Sequence, residues 1–222
     1  ALLAAAAERD PAAAAELGSA RAALDAERAR VFAALTPVER LALARHPRRP
    51  YPLDYVAALV EQFVELHGDR READDPAVVA GFGVFRSRPV AVVALQKGRS
   101  VREKVQRNFG RPRPAGARKA RRAIELAARG GRPVIALVDA AGAAADGAAE
   151  GAEAAAALGE LLFAAATAAT PFVSVVTGEA TGTWALPWLV ADRVAMQAYA
   201  MMAPPLAPRP PAPSSRRPAS RR

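Results

Sequence analysis

The chain has no cysteine and only two histidines, His46 and His67. Disulfides and thiolate metal sites are excluded, and two imidazoles alone do not build a zinc centre, so no metal chemistry is expected within this chain. Long apolar runs are absent too, and nothing approaches a membrane span. The opening ALLAAAA is short, has no basic leader and runs into Glu8, Arg9 and Asp10, so it does not read as a signal peptide. The expected location is cytoplasmic.

Much of what is present is alanine. Of the 222 residues 52% are apolar, enough for one sizeable core, but alanine buries little area, so the core must come from the Val, Ile, Leu and Phe clusters between Val31 and Met196. The net charge of +9 is unevenly placed. Five arginines, Arg209, Arg216, Arg217, Arg221 and Arg222, lie in an acid-free Pro/Arg stretch from Ala203 to Arg222. A second basic cluster, Arg111, Arg113, Arg118, Lys119, Arg121 and Arg122, lacks the interleaved aromatics of single-strand binders and suits small anions equally well. Nucleic-acid binding is not expected. The tail itself is open to two readings, an arm for nucleic acid or an acidic partner, or a solvated segment with no dedicated partner.

Periodicity organises the rest. Asp10 as N-cap and Pro11 at the first helical position predict a long helix to Leu35. Its stripe of Leu17, Leu24 and Val31 suits either packing on its own domain or pairing in an oligomer. Thr36-Pro37-Val38-Glu39 opens a short helix ending at Ala44. Val56, Leu59, Val60 and Phe63 predict an amphipathic helix over Leu53 to Leu66. Val78–Phe85 and Pro89–Gln96 read as paired strands, followed by a loop and two helices up to Arg129. An α/β alternation completes the pattern: strand Pro133–Asp139, a helix from about Ala149 to Ala168, strand Pro171–Thr177, a short helix, and strand Arg193–Gln197. After Tyr199 no packed element is expected.

In such a core, ligands gather where loops leave the carboxyl ends of strands: Gln96 to Arg99, Asp139 to Gly147 and Gly178 to Thr183. Lys97, Arg99, Lys104 and Arg107 suit either anion contact or a solvated helix face, and Gly98 at a strand end favours contact. Asp139 and Glu179 lack a histidine or second acid at useful spacing, so they read as loop-anchoring acceptors.

The run QKGRSVREKVQRNFGRPRPAGARKARR, Gln96 to Arg122, resembles the signature of the carboxyltransferase alpha-subunit family of bacterial acetyl-CoA carboxylase. The likeness extends through LARHPRRPYPLDYV from Leu43 and ELHGDRREADDPAVVAGFG from Glu65, and covers about Ala26 to Tyr199. The resemblance implies a crotonase-like (ClpP/crotonase) α/β spiral of strand-strand-helix units with N-terminal helices. It divides the chain into a helical segment 1–50, a carboxyltransferase domain 51–200 and a disordered tail 201–222. The implied reaction moves a carboxyl group from carboxybiotin, held on a biotin carboxyl carrier protein, to acetyl-CoA, giving malonyl-CoA for fatty acid biosynthesis. The implied assembly is a hetero-oligomer with a beta subunit bearing a zinc ribbon and much of the coenzyme A site.

Such chemistry needs preorganised N–H donors for an enolate oxygen and for the ureido oxygen of biotin, which glycine-rich strand-to-helix turns supply. The backbone turn of Gly178, Gly182, Thr183, Trp184 and Ala185 matches that place. Gln96, Lys97, Gly98, Arg99, Gly142 and Ala143 are the implied substrate-binding residues. This chain departs from the family in both loops. VDAAGAAADGAAEGAEA (Val138 to Ala154) stands where the family resembles IDTPGAYPGVGAEERGQ, and GEATGTWAL (Gly178 to Leu186) where it resembles GEGGSGGAL. Ala180, Thr181, Thr183 and Trp184 thus occupy glycine positions. Trp184 suits packing against Trp188 and Leu189, or stacking on or blocking a ligand. A catalytically impaired paralogue acting as a binding or assembly subunit is the alternative function.

Overall fold

The structure, a computed structural model, describes residues 10–140, 142 and 151–203. The chain divides into two compact units, Ala1–Ala42 and Leu43–Arg222. The first holds helix α1 (Pro11–Ala33), with Pro11 in its first turn and Asp10 accepting the Ala12 N–H at 2.9 Å. No residue of α1 is buried. Helix α2 (Pro37–Ala44) follows, opened by Thr36 and Glu39, whose carboxylate accepts the Thr36 N–H at 2.8 Å.

In the second unit, α3 (Pro52–Leu59) leads into a mixed sheet. Its strands are β1 (Glu61–Glu65), β2 (Val78–Phe85), β3 (Arg88–Leu95), β4 (Val134–Ala140), β5 (Phe172–Thr181), β6 (Arg193–Met196) and β7 (Met201–Ala203). They pair in the order β1-β2-β3-β4-β5-β6, with β7 also on β5. β1, β2 and β3 are antiparallel neighbours, whereas β3 to β6 run parallel, as does β7 beside β5. Arg86 and Ser87, at φ 48° and 63°, turn β2 into β3, the two positive values a primed hairpin turn requires.

Two expectations are corrected. The helix over Leu53 to Leu66 ends at Leu59, and β1 takes its second half. Val60 leaves the helix at φ −115°, ψ 110°, and Gln62 at φ 50° forms a bulge that adjusts the register of β1 on β2. The glycines of β2 admit this strand. A Cβ at Gly81 would lie 2.8 Å from the Phe63 ring, and one at Gly83 would lie 2.9 Å from the Glu61 carbonyl oxygen. Beyond Tyr199, itself at φ 61°, Met201–Ala203 is a packed strand, because Glu179 to Thr181 of β5 leave ladder positions beyond β6.

Helices α4 (Val101–Gln106), α5 (Pro114–Arg129), α6 (Ala152–Ala166) and α7 (Leu186–Leu189) complete the unit. The larger core cluster joins inward faces of β2 to β5 with Ala120, Ile124 and Leu161, and a smaller one on the other face gathers Val56, Val79, Val92 and Leu137. Two members of the foreseen basic cluster, Arg118 and Lys119 of α5, are structural. Arg118 is buried among Asp69 at 2.6 Å, Glu153 at 2.7 Å and Glu72 at 3.0 Å, and Lys119 reaches Asp74 at 2.8 Å and Glu65 at 3.2 Å. Buried cations without such partners would cost several kcal/mol each, roughly, so these acids are what permit them.

Candidate functional site

Three parallel strands, β3, β4 and β5, end side by side, and each delivers a charged residue to a cavity of about 700 Å3. These are Lys97 just after β3, Asp139 in β4 and Glu179 in β5. The Lys97 ammonium lies 2.7 Å from Asp139 Oδ1 and 2.7 Å from Glu179 Oε2, while Arg45 binds the other oxygen of Glu179. The Glu179 N–H also donates to Asp139 Oδ1 at 2.9 Å. Two carboxylates forty positions apart therefore share one ammonium.

Their surroundings pull the two acids apart. Burial pushes the Asp139 carboxyl above its ordinary range, and the attraction of Lys97 only partly offsets this. Burial also pushes Glu179 up, yet Lys97 and Arg45 together outweigh it and hold that carboxyl below the usual range.

Close backbone approach holds this cluster in place. A Cβ at Gly178 would sit 2.6 Å from Asp139 Cγ, and one at Gly98 would sit 2.6 Å from Glu103 Cβ of α4. Arg99, foreseen as an anion ligand, is turned to Asp54, with one guanidinium nitrogen 3.2 Å from Oδ1, and it lies 4.0 Å over the Tyr51 ring. Arg49 donates to the carbonyl oxygens of Thr177 at 2.6 Å and Ala198 at 3.0 Å.

Lys97, Gly98 and Arg99 line the cavity. Gln96 is buried behind it, and its Oε1 accepts the Leu53 N–H at 3.1 Å. The backbone turn forms a separate group. Gly142 (φ 95°) and Gly182 (φ 66°, ψ −166°) are neighbours, and a Cβ on Gly182 would meet Gly142 Cα at 3.6 Å, an ordinary contact. Thr183–Ala185 then form one 3₁₀ turn into α7. Ala143 lies outside the described residues, as does most of the Asp139 to Gly147 loop.

Ala180, Thr181, Thr183 and Trp184 all keep negative φ, so the residues at the family's glycine positions incur no left-handed strain. Gly182 alone in this turn is left-handed, where the family pattern has serine. A side chain at φ 66°, ψ −166° would be strained, so this turn requires glycine at position 182. Trp184 is 1% exposed and packs in the main core with Trp188, away from the cavity lining.

Arg45 and Arg49 were not singled out as site residues from the sequence. The signal available was the density of cations in LARHPRRP, which reads simply as the end of a helix at Pro47 and Pro50.

A family model described as acetyl co-enzyme A carboxylase carboxyltransferase-like matches residues 2–204. The alpha subunit of acetyl-coenzyme A carboxylase carboxyl transferase from Aliarcobacter butzleri is 43% identical over 180 residues, 81% of this chain and 58% of the relative. That of Aquifex aeolicus is 44% identical, covering 76% and 52%, and the beta/alpha protein of Salinispora arenicola is 50% identical, covering 73% and 29%. The chain spans about half the length of the alpha subunits it matches. Among solved structures, transcarboxylase 12S superposes with TM-score 0.60 at 19% identity, over 82% of this chain and 36% of that one. The beta subunit of P. aeruginosa geranyl-CoA carboxylase gives 0.55 at 18%, over 76% and 31%. The expected crotonase-like α/β architecture is the fold shared with these structures.

Proposed function

The chain belongs to the acetyl co-enzyme A carboxylase carboxyltransferase-like family, and from that premise we propose that it is the alpha-type part of a carboxyltransferase moving a carboxyl group from carboxybiotin to acetyl-CoA. The observation that carries the reading is the convergence of Lys97, Asp139 and Glu179 from three adjacent strand ends onto one cavity. Strand ends of parallel sheets are where such folds bind ligands, and about 700 Å3 suits a drug-sized group. Biotin and acetyl-CoA supply the transferable carboxyl and the acceptor carbon when bound. This chain's residues contribute a charged, partly enclosed wall and, beside it, a backbone turn beginning at Gly182.

The same reading brings a beta subunit with a zinc ribbon, a biotin carboxyl carrier protein, a hetero-oligomeric assembly and a cytoplasmic setting. No helix among the described residues is long and apolar enough to cross a membrane. One observation favours a second reading, an impaired paralogue serving assembly: Gly182 is left-handed where the family pattern has serine, so the N–H groups of this turn need not point as the family's do.

The test is reconstitution. Purified chain, a zinc-ribbon beta subunit and carboxylated biotin carrier are mixed with acetyl-CoA, and malonyl-CoA is followed. The expected result is transfer in the full mixture and none with the chain alone. No transfer, in a mixture that works with the Aquifex alpha subunit instead, would leave the assembly reading.

A further inference from the structure

Asn108, Phe109 and Gly110 form a run of three left-handed residues at φ 47°, 55° and 68°. Asparagine tolerates that region and glycine is free in it, but phenylalanine is strained there. Gly110 presses this run onto the cavity: a Cβ there would lie 3.2 Å from Lys97 Cα and overlap the lysine side chain. Phe109 gains only partial burial in exchange. It is 52% exposed at the cavity's edge. A strained backbone presenting an exposed aromatic ring beside a cavity points to a ligand rather than to packing.

The cations beside it support the same conclusion. Of the Arg and Lys residues lining the cavity, Arg45 and Lys97 are engaged by Glu179, Arg99 by Asp54, and Arg49 by two carbonyl oxygens. Lys104 and Arg111 line it as well, and among the described residues neither has an acidic partner. They flank Phe109 in the chain, Lys104 from α4 and Arg111 directly after the left-handed run.

We propose that this rim is a binding site for a flat apolar group bearing an anion, a phosphate or a carboxylate. The ring lies on Phe109 and the anion is held by Lys104 and Arg111. The proposal deepens the transferase reading and rests on it only in treating this cavity as the working one.

The test uses the full chain alone, with phenyl phosphate, benzoate and inorganic phosphate titrated by ligand-detected NMR. Phenyl phosphate is expected to bind about three- to tenfold more tightly than inorganic phosphate, the contribution of one aromatic contact. Phe109→Gly removes that advantage without lowering the melting temperature, because glycine accepts the φ that phenylalanine does not. The double variant Lys104→Ala, Arg111→Ala weakens both organic anions about threefold or more. Whichever of phosphate and carboxylate binds more tightly identifies the preferred anion. No saturable binding to the wild-type chain, or equal affinities in wild type and both variants, would overturn the proposal. Because no carrier, thioester or partner chain is involved, this outcome is independent of whether carboxyl transfer is ever observed.

Discussion

The Asp139 carboxylate occupies the space that a side chain at Gly178 would need: a Cβ there would sit 2.6 Å from Asp139 Cγ. The same carboxylate accepts the N–H of Glu179, the next residue, so one acid both fills the gap and ties the ends of β4 and β5 together. Gly178→Ala must push Asp139 away and break that tie. The expected loss is about 1–3 kcal/mol of unfolding free energy, typical of overpacking, read from urea denaturation. An unchanged midpoint would mean that the two strand ends move apart freely.

Lys97→Met leaves two largely buried carboxylates facing each other with only Arg45 nearby. Breaking such a cluster on one side typically costs about 3–5 kcal/mol, less where water reaches it. The pH dependence carries the sign. Without the ammonium Asp139 rises further above its ordinary range and Glu179 rises from below its own, so the variant's folded state takes up more protons than the wild type's as pH falls and the variant gains relative stability. The deficit against wild type should be largest near pH 7 and shrink toward pH 4. A deficit independent of pH would show that Lys97 acts by packing alone.

How far this cluster was legible follows from the same residues. Lys97, Asp139 and Glu179 each stand out at a strand end in the sequence, but their separation concealed that they meet. Only the register, in which Ala140 of β4 lies beside Ala180 of β5, makes neighbours of positions forty apart. The alternating core was readable because buried strands such as Val90 to Leu95 are continuous apolar runs. β1 was not readable: Val56, Leu59, Val60 and Phe63 keep helical spacing by coincidence, and the glycines that admit the strand belong to β2. Arg118 and Lys119 read as part of a cluster suited to small anions because their acidic partners Asp69, Glu65 and Asp74 lie far upstream.

Asp74 sets part of the acid limit of stability. Burial pushes its carboxyl up, but Lys119, the Gly68 N–H and His67 outweigh that and bring it to about 2. A carboxyl depressed on folding stabilises above its unfolded value and loses that contribution as pH falls through the folded one. Asp69, held low by three backbone N–H groups and Arg118 against the opposing effect of burial, acts in the same direction. Wild type should therefore lose stability between about pH 4 and pH 2, and Asp74→Asn should flatten that limb while lowering stability at neutral pH. Identical acid limbs in the two proteins would exclude Asp74 as a contributor.

Trp184 decides between two views of the altered turn. If its indole blocked a ligand, replacing it with glycine would open the site at little cost to the fold. The structure argues otherwise. The side chain is 1% exposed, it packs with Trp188 in the main core, and it does not line the cavity. Trp184→Gly therefore removes a large buried side chain and leaves a void whose walls collapse only partly, an expected loss of about 3–5 kcal/mol. Added backbone freedom in a turn that already contains Gly182 raises the cost further. Restoring glycines at 180, 181, 183 and 184 together should lower the melting temperature rather than raise carboxyl transfer in the reconstituted mixture. The two measurements separate the views: a stable variant with faster malonyl-CoA formation would establish Trp184 as a block, and an unstable one without gain would establish it as part of the core.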